Sequence, residues 1–200
     1  MAFNVQNFSD NLAARGTLQT NKFEVRMTAP NVFFTNDIVV PAGRRSGFLE
    51  TSRNLRFRAE SVNLPGVLID AYETRRHGVG PQQKFGTNVR FSEFSVTFIE
   101  EGSSNIYEFF YYWINSIFDT GGYMSTTTVA TPIPTYLTSY KSEYITDVEV
   151  RVYDNQGNQK NSVTFIEAFP LSLGDVSLSW SDNNRLFRTS VTFGYTQWSI

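Results

Sequence analysis

The last quarter of the chain alternates between apolar and polar residues. Three runs between residues 143 and 198 carry apolar side chains on one side only. The apolar members are Val148, Val150 and Val152 in the first run, Val176, Leu178 and Trp180 in the second, and Phe187, Val191, Phe193 and Tyr195 in the third. Alternation with period two is typical of strands that bury one face. The pattern therefore predicts an antiparallel meander over 143–198, with one apolar face and one polar face.

Small hydroxyl side chains dominate the polar face of the last two runs. Its members include Ser177, Ser179, Ser190 and Thr192. A face this uniform does not resemble a catalytic pocket. It suits a long surface that contacts water or a molecule sliding past.

Shorter runs of the same kind precede the meander. They lie at 22–28, 55–62, 67–76 and 89–99. In the run at 55–62, we expect Leu55, Phe57 and Ala59 to point inward. Over 104–118 the apolar residues recur at steps of three and four, which predicts an amphipathic helix. Together, these strands and the helix predict a mostly β fold: a single domain over 1–200, built as an antiparallel β-barrel or sandwich flanked by one α-helix.

Three segments are predicted to be arms or loops. Residues 1–20 form a polar N-terminal arm, 30–53 a long loop or hairpin, and 123–142 a Thr/Pro-rich loop. Loops longer than about 15 residues in a compact domain usually make functional contacts. The segment 30–53 also carries apolar side chains, among them Phe33, Phe34 and Val39, which a solvated loop has no reason to display.

Composition excludes several classes of function. The net charge is -2, so no bulk electrostatic attraction to nucleic acid is expected. The chain has no cysteine, which excludes disulfides, thiol nucleophiles and cysteine-ligated metals. No run approaches the roughly 20 apolar residues of a membrane span, and the N-terminus lacks a signal-peptide pattern. We expect a protein without a membrane anchor that is soluble when made.

No reactive constellation stands out in the sequence. The single histidine, His77, has no cysteine or second histidine with which to bind a transition metal. Glu100 and Glu101 are adjacent on a strand and should point to opposite faces, next to a helix start where anions are favoured. A hydrolase that uses Glu100, Glu101 or Asp119 is a weak alternative. We predict no enzyme activity, catalytic residue, metal or cofactor.

Several stretches taken together resemble the tail tube protein of T4-type contractile phages. They are TLQTNKFEVRM at 17–27, NLRFRAESVNLPGVLIDAYETRR at 54–76, the strand, acidic break and aromatic helix at 90–117, and the alternating strands at 143–195. The last stretch is the most specific. Its core runs from Phe169-Pro170 to the Trp-Ser-Asp-Asn-Asn at 180–184. Related tubes occur in type VI secretion and in extracellular injection machines.

The resemblance implies a structural subunit of the inner tube of a bacteriophage tail. Such subunits form homohexameric rings that stack into a channel for DNA ejection, without sequence-specific DNA binding. The implied partners are further copies, the sheath, the baseplate and the tail-terminator proteins. The implied location is the virion tail, assembled in the host cytoplasm. Alternatives are a baseplate tube initiator, an injection-system tube protein, or a carbohydrate-binding β domain.

Two sets of site residues follow from the resemblance. The predicted lumen-facing residues are Ser177, Ser179, Ser190 and Thr192. The predicted contacts between rings are Phe33, Phe34, Val39, Arg44 and Arg45, the two arginines forming ion pairs with acidic residues of the adjacent ring. In this hypothesis the long loops serve ring stacking.

Overall fold

Antiparallel strands are the commonest secondary structure in the described chain. The computed structural model describes residues 9, 18–35, 42–75, 78, 80–102, 105–119, 137–181 and 185–200. The strands are β1 (Phe23–Met27), β2 (Ala59–Asn63), β3 (Val67–Thr74), β4 (Gln83–Phe91), β5 (Phe94–Ile99), β6 (Phe118–Asp119), β7 (Leu137–Thr138), β8 (Thr146–Tyr153), β9 (Gln159–Leu173), β10 (Arg188–Gly194) and β11 (Gln197–Ser199). The helices are α1 (Val32–Thr35), α2 (Ala42–Arg58), α3 (Asn105–Ile117) and α4 (Lys141–Tyr144).

The long strand β9 takes part in two sheets. Its first part pairs with β8 and β11, and β8 pairs in turn with β1, which forms the first sheet. Its last part pairs with β10, followed by β5 and β2, which forms the second sheet. Glu167, with a positive φ of 56°, lies at a register shift where β9 passes from one sheet to the other. The shared strand thus fixes the two sheets to each other.

An aromatic core fills the space between the sheets and the helices. Phe94 of β5 stacks on Phe165 of β9 at 4.0 Å and on Phe193 of β10 at 5.0 Å between ring centroids. Offset-stacked and edge-to-face aromatic pairs add to the stability that comes from burial alone. The core therefore joins strands of both sheets through ring contacts.

Helix α3 lies where the sequence predicted a helix over 104–118. Its buried side chains follow the predicted spacing: Ile106, Phe109, Phe110, Trp113, Ser116 and Ile117. The Trp113 ring contacts Phe109, Phe110 and Phe193, and its indole N–H donates to the Tyr144 carbonyl at 2.7 Å. The helix is thus fixed to β10 and to α4.

The carboxylate of Glu100 caps the start of α3. It accepts hydrogen bonds from the backbone N–H groups of Ile106 and Tyr107 at 2.8 and 2.9 Å, and from the hydroxyl of buried Thr189 at 3.0 Å. Capping satisfies N–H groups that a helix start leaves without partners. Glu100 therefore ties β5, β10 and α3 together.

Glu100→Ala is expected to lower the free energy of unfolding by about 1–2 kcal/mol, because it removes the cap and leaves Thr189 without its acceptor. Urea denaturation measures the change. The matched control is Glu101→Ala, which breaks only a partly exposed ion pair to Arg58 at 3.3 Å and should cost about 0–1 kcal/mol. Equal effects of the two substitutions would contradict the capping role.

The prediction of a long loop or hairpin over 30–53 was wrong for much of that segment. The structure has α1 at Val32–Thr35 and the helix α2 at Ala42–Arg58. The predicted strand at 55–62 is likewise helical up to Arg58. Helix α2 buries a narrow stripe of Phe48, Thr51, Ser52 and Leu55, at helical spacing. The fold is thus flanked by two long helices where one was expected.

The second alternating run does not form a strand in the isolated subunit. The β9–β10 ladder ends where the Gly174 N–H donates to the Ser190 carbonyl at 2.7 Å. Beyond it, Leu178 is 79% exposed and Trp180 is fully exposed. The expectation of a buried face for Leu178 and Trp180 was therefore wrong for the single chain. Among the described residues, no helix is long and apolar enough to cross a membrane.

Candidate self-assembly surfaces

The outward side of the second sheet is a continuous polar face. Cross-strand pairs place Ser61 opposite Thr97, Asn63 opposite Ser95, Ser190 opposite Thr97, and Thr192 opposite both Ser95 and Ser172. The alternate residues of β5 and β10, including Phe94, Val96, Phe98, Val191 and Phe193, are buried on the other side. We call the set Ser61, Asn63, Ser95, Thr97, Ser172, Ser190 and Thr192 the hydroxyl face. It spans all four strands of the second sheet.

Charge at the edge of the hydroxyl face is compensated. The Arg188 guanidinium donates two hydrogen bonds to the Glu60 carboxylate, at 2.6 and 2.9 Å. These bonds hold the pKa of Glu60 below its usual range. Glu60 therefore stays ionised near neutral pH, and the pair adds no net charge to the face.

The predicted lumen-facing residues fall into two groups. Ser190 and Thr192 lie on the hydroxyl face, as two of its members on β10. Ser177 and Ser179 lie beyond the end of β9, where they line an open cleft together with Ser190. The structure thus brings three of the four residues to one cleft and places Thr192 farther along the sheet. Sequence reasoning missed the members of the hydroxyl face on β2, β5 and β9.

The second sheet has two unpaired edges within the described part of the chain. One is the outer edge of β2, the last strand in the sheet order. The other is the end of β9, residues 169–173, which pairs with β10 on one side only. Unpaired edges present free N–H and C=O groups that favour pairing with another strand. Each subunit therefore carries two complementary positions for extending the sheet.

The hairpin formed by β3 and β4 projects from the fold with both faces exposed. Every residue of β4 is exposed, as are most residues of β3. Its large apolar members, all more than two-fifths exposed, are Val67, Leu68, Ile69, Tyr72, Phe85, Val89 and Phe91. An isolated two-stranded hairpin is marginally stable in water, and large exposed apolar patches mark interaction sites. The hairpin is therefore a candidate contact surface, which sequence reasoning treated only as a strand followed by a loop.

Two of the residues predicted to join the rings, Phe33 and Arg44, make contacts within the subunit. Phe33 is buried against Phe48 and Phe109, so its assignment to a contact between rings was wrong. Arg44 forms an ion pair with Glu108 of α3 in the same chain, which replaces the partner expected in an adjacent ring. Phe34 is exposed and Arg45 is half-buried, whereas Val39 and most of the arm 1–20 lie outside the described residues.

Two of the three acidic residues considered for catalysis, Glu100 and Glu101, have structural contacts. Glu100 caps α3, and Glu101 pairs with Arg58. Asp119 lies in β6, and His77 lies outside the described residues. In the part of the chain that the structure describes, no group of three or more His, Asp or Glu side chains could hold a metal ion.

Comparison with known proteins identifies the family. The sequence profile described as phage tail tube protein matches residues 18–200. Searching curated protein sequences finds no match.

Solved structures show the same fold. A chain of the sheath–tube complex of the extracellular contractile injection system PVC, in its extended state, has a TM-score of 0.57 and 13% identity, covering 96% of this chain and 95% of that one. A chain of the tube-terminating cap of the anti-feeding prophage has a TM-score of 0.57 and 14% identity, covering 92% and 91%. A chain of the PVC sheath/tube terminator, in its extended state, has a TM-score of 0.54 and 14% identity, covering 92% of this chain and 95% of that one.

These matches confirm the mostly β antiparallel fold and the resemblance on which the sequence analysis relied. They indicate that the chain is a structural tube subunit and a component of a tail. The chain belongs to the phage tail tube protein family.

Proposed function

We propose that this chain is the inner tube subunit of a contractile tail, in which hexameric rings stack into a channel for DNA. The proposal rests on one observation: the second sheet has two unpaired edges among the described residues, and its outward side is the neutral hydroxyl face. The fold shared with chains of contractile injection complexes supports the contractile class. A baseplate tube initiator or an injection-system tube protein would use the same surfaces. The family match favours all of these over a carbohydrate-binding domain.

Ring closure follows from the two edges of the second sheet. If β2 of one subunit pairs with residues 169–173 of the next, the four-stranded sheets join into one continuous barrel. Such a contact is heterologous, so repetition closes into a ring when the rotation between copies allows it. Closure also removes the exposed edges that would otherwise promote aggregation.

Cross-linking tests this arrangement directly, because the natural chain has no cysteine. In an Asn63→Cys/Ser172→Cys double variant, the thiols of neighbouring subunits should lie close enough for a short bis-maleimide. We expect a ladder of covalent species that ends at the hexamer. The control pairs Asn63→Cys with Ser162→Cys, because Ser162 lies where β9 already pairs with β8. No ladder, or one that ends at another number, would contradict the proposed ring.

The hydroxyl face is proposed to line the channel, together with Ser177 and Ser179. Side chains of the hydroxyl face are small and neutral, and Arg188 at its edge is paired with Glu60. A channel for DNA benefits from a wall without unpaired cations, because such cations bind phosphates. In this arrangement the sheath would surround the opposite side of the subunit, and the baseplate and terminator would occupy the ends of the tube.

A double variant, Ser190→Lys/Thr192→Lys, is expected to slow DNA release from assembled particles, because each lysine is repeated around every ring and attracts phosphate. Release is followed by dye binding after triggered ejection, at low and high salt. The control Ser190→Gln/Thr192→Gln adds comparable bulk without charge and should release DNA faster than the lysine variant. Equal rates for the two variants, or no salt dependence, would show that this face does not line the channel.

A further inference from the structure

A small cleft between β1 and α2 is lined mainly by arginines. Arg26 comes from β1, whereas Arg53 and Arg56 come from α2, and Met27 and Ser52 complete the lining. The cleft is open to solvent and has a volume of about 190 Å³, room for a few small polar groups. Three arginine side chains from two different elements therefore meet at one place on the surface of the subunit.

The charges of the cleft do not balance. The Glu24 carboxylate lies 2.9 Å from the Nε of Arg26 and 3.9 Å from the Nε of Arg56. Arg53 forms no hydrogen bond or ion pair within the part of the chain that the structure describes. Three guanidinium groups beside one carboxylate leave an excess of two positive charges. Because the whole chain has a net charge of -2, this excess is a local feature of the cleft.

Glu24 holds Arg26 in a fixed position. Its carboxylate accepts two hydrogen bonds from the Arg26 guanidinium, at 2.9 and 3.2 Å, and one from the Tyr153 hydroxyl at 2.6 Å. Burial raises the pKa of Glu24, but these hydrogen bonds lower it further, so the pKa lies below its usual range. Glu24 therefore stays ionised near neutral pH. Its bonds engage Arg26 and leave Arg53 and the more distant Arg56 able to bind another anion.

An exposed aromatic ring lies beside the cleft. Phe57 follows Arg56 on α2 and is 71% exposed, and the Arg56 guanidinium carbon lies 4.3 Å from its ring centroid. Arginine and aromatic residues are enriched at protein interfaces, and the planar guanidinium group binds a carboxylate through two hydrogen bonds. This pairing of cations with an apolar ring favours a protein segment over a small inorganic anion.

The cleft lies on a different side of the subunit from the hydroxyl face. Val25 and Met27 are buried, so Arg26, between them on β1, points to the outward side of the first sheet. Strand β1 is also the end of the strand order farthest from β2. Because the hydroxyl face lines the channel in the proposed function, on which this exclusion rests, DNA in the channel does not reach the cleft.

We propose that the cleft between β1 and α2 binds an acidic segment of a partner protein, with two of its carboxylates paired to Arg53 and Arg56. Charge complementarity identifies this occupant, because two carboxylates balance the excess of two positive charges. The Phe57 ring offers an apolar contact to the neighbouring side chain of the segment. Complementary charge gives specificity more than affinity, so binding to one cleft is weak and gains strength when copies are repeated along an assembly.

Binding of a labelled acidic peptide to the purified chain tests the site. The probe is a fluorescein-labelled peptide of alternating Glu and Gly residues, and fluorescence anisotropy at low ionic strength measures its affinity. Arg53→Gln/Arg56→Gln should weaken binding about tenfold, the effect of losing two exposed ion pairs.

The matched control is Lys84→Gln/Arg90→Gln, which removes two exposed positive charges from the β3–β4 hairpin. This variant should bind the peptide as tightly as the natural chain does. Equal weakening by the two double variants, or no binding to the natural chain, would overturn the proposed site.

Two competitors distinguish other occupants. Full displacement of the peptide by inorganic phosphate at the peptide's own concentration would show a site for small anions and overturn the protein partner. A double-stranded oligonucleotide that binds more tightly than the peptide, and loses this affinity in Arg53→Gln/Arg56→Gln, would show a nucleic-acid site and overturn it as well. We expect neither result.

Assembly of the variant separates this site from contacts between copies. Arg53 and Arg56 are exposed, so the chain with both substitutions should form the same rings and tubes as the natural chain. Loss of assembly in this variant alone would assign the cleft to a contact between copies and overturn the proposed partner. Failure of the natural chain to form rings or tubes would contradict the proposed function, whereas the peptide measurement on the subunit would still decide whether the cleft binds an acidic segment.

Discussion

Trp113→Ala is expected to lower the free energy of unfolding by about 3–5 kcal/mol, the range for removing a buried aromatic ring. The side chain is 0% exposed and contacts three other aromatic rings, those of Phe109, Phe110 and Phe193. The substitution also leaves the Tyr144 carbonyl without its indole donor. Because a typical domain is stable by only about 5–15 kcal/mol, poorly soluble or protease-sensitive protein should result.

Urea denaturation of soluble protein measures the loss. The matched control is Tyr111→Ala, on the same helix but exposed, which should cost roughly 1 kcal/mol or less. An unchanged unfolding midpoint for Trp113→Ala would mean that α3 does not bury this face. Equal losses in the free energy of unfolding for the two variants would mean that helix propensity, and not core packing, determines the loss.

Deleting residues 31–49 and joining the flanks with a short Gly/Ser linker is expected to abolish folding. Among the described residues, the deletion removes the buried side chains of Val32, Phe33 and Phe48, together with the first half of α2. Phe33 and Phe48 both contact Phe109, so their loss opens the core beside α3. The free energy lost with several buried apolar side chains exceeds the free energy of unfolding of a typical domain. Circular dichroism and limited proteolysis would detect the unfolded product.

The matched control deletes the β3–β4 hairpin, residues 67–91, and bridges the gap with a similar linker. Nearly all of these residues are exposed, so the subunit should keep its fold and its ability to form rings. Long tubes should be lost, because the exposed apolar hairpin is a candidate contact surface between subunits. A folded subunit after deletion of 31–49, or normal tubes after deletion of the hairpin, would contradict these assignments.

Alternation predicted the strands of the C-terminal part where both partner strands belong to the same chain. Val148, Val150, Val191 and Phe193 are all buried, as the period of two implies. Leu178 and Trp180 follow the same pattern and remain exposed. The reason is physical: residues 174–179 lie beyond the end of the β9–β10 ladder and form no strand, so within the described chain no sheet buries their apolar side.

Helix α2 was missed because its apolar stripe is too narrow to show a period. Phe48 and Leu55 are its only large buried side chains, and the remaining buried positions are the small polar residues Thr51 and Ser52. Nearby, Phe57 fits the alternating pattern of a strand, yet it is exposed. The Arg56 guanidinium carbon lies over its ring, 4.3 Å from the ring centroid. Tertiary packing, and not local propensity, determines the structure of this segment.

The sequence predicted only part of the hydroxyl face. Ser190 and Thr192 could be assigned to a polar face from β10 alone, but their neighbours on β2 and β9 depend on strand register. Register is a property of the folded sheet that one strand's pattern does not specify. The alternation of Phe94, Ser95, Val96, Thr97 and Phe98 was a usable signal for the β5 members. The hairpin's exposure left no signal, because its apolar content resembles that of a core strand.

Electron microscopy of the purified protein would show whether its subunits assemble into a tube. At high protein concentration we expect rings with six-fold symmetry that stack end to end into tubes with an open channel. Class averages viewed along the tube axis would give the symmetry, and side views would give the repeat between rings. A homogeneous population of single globular particles, with neither rings nor tubes over a range of concentrations and salt, would contradict it.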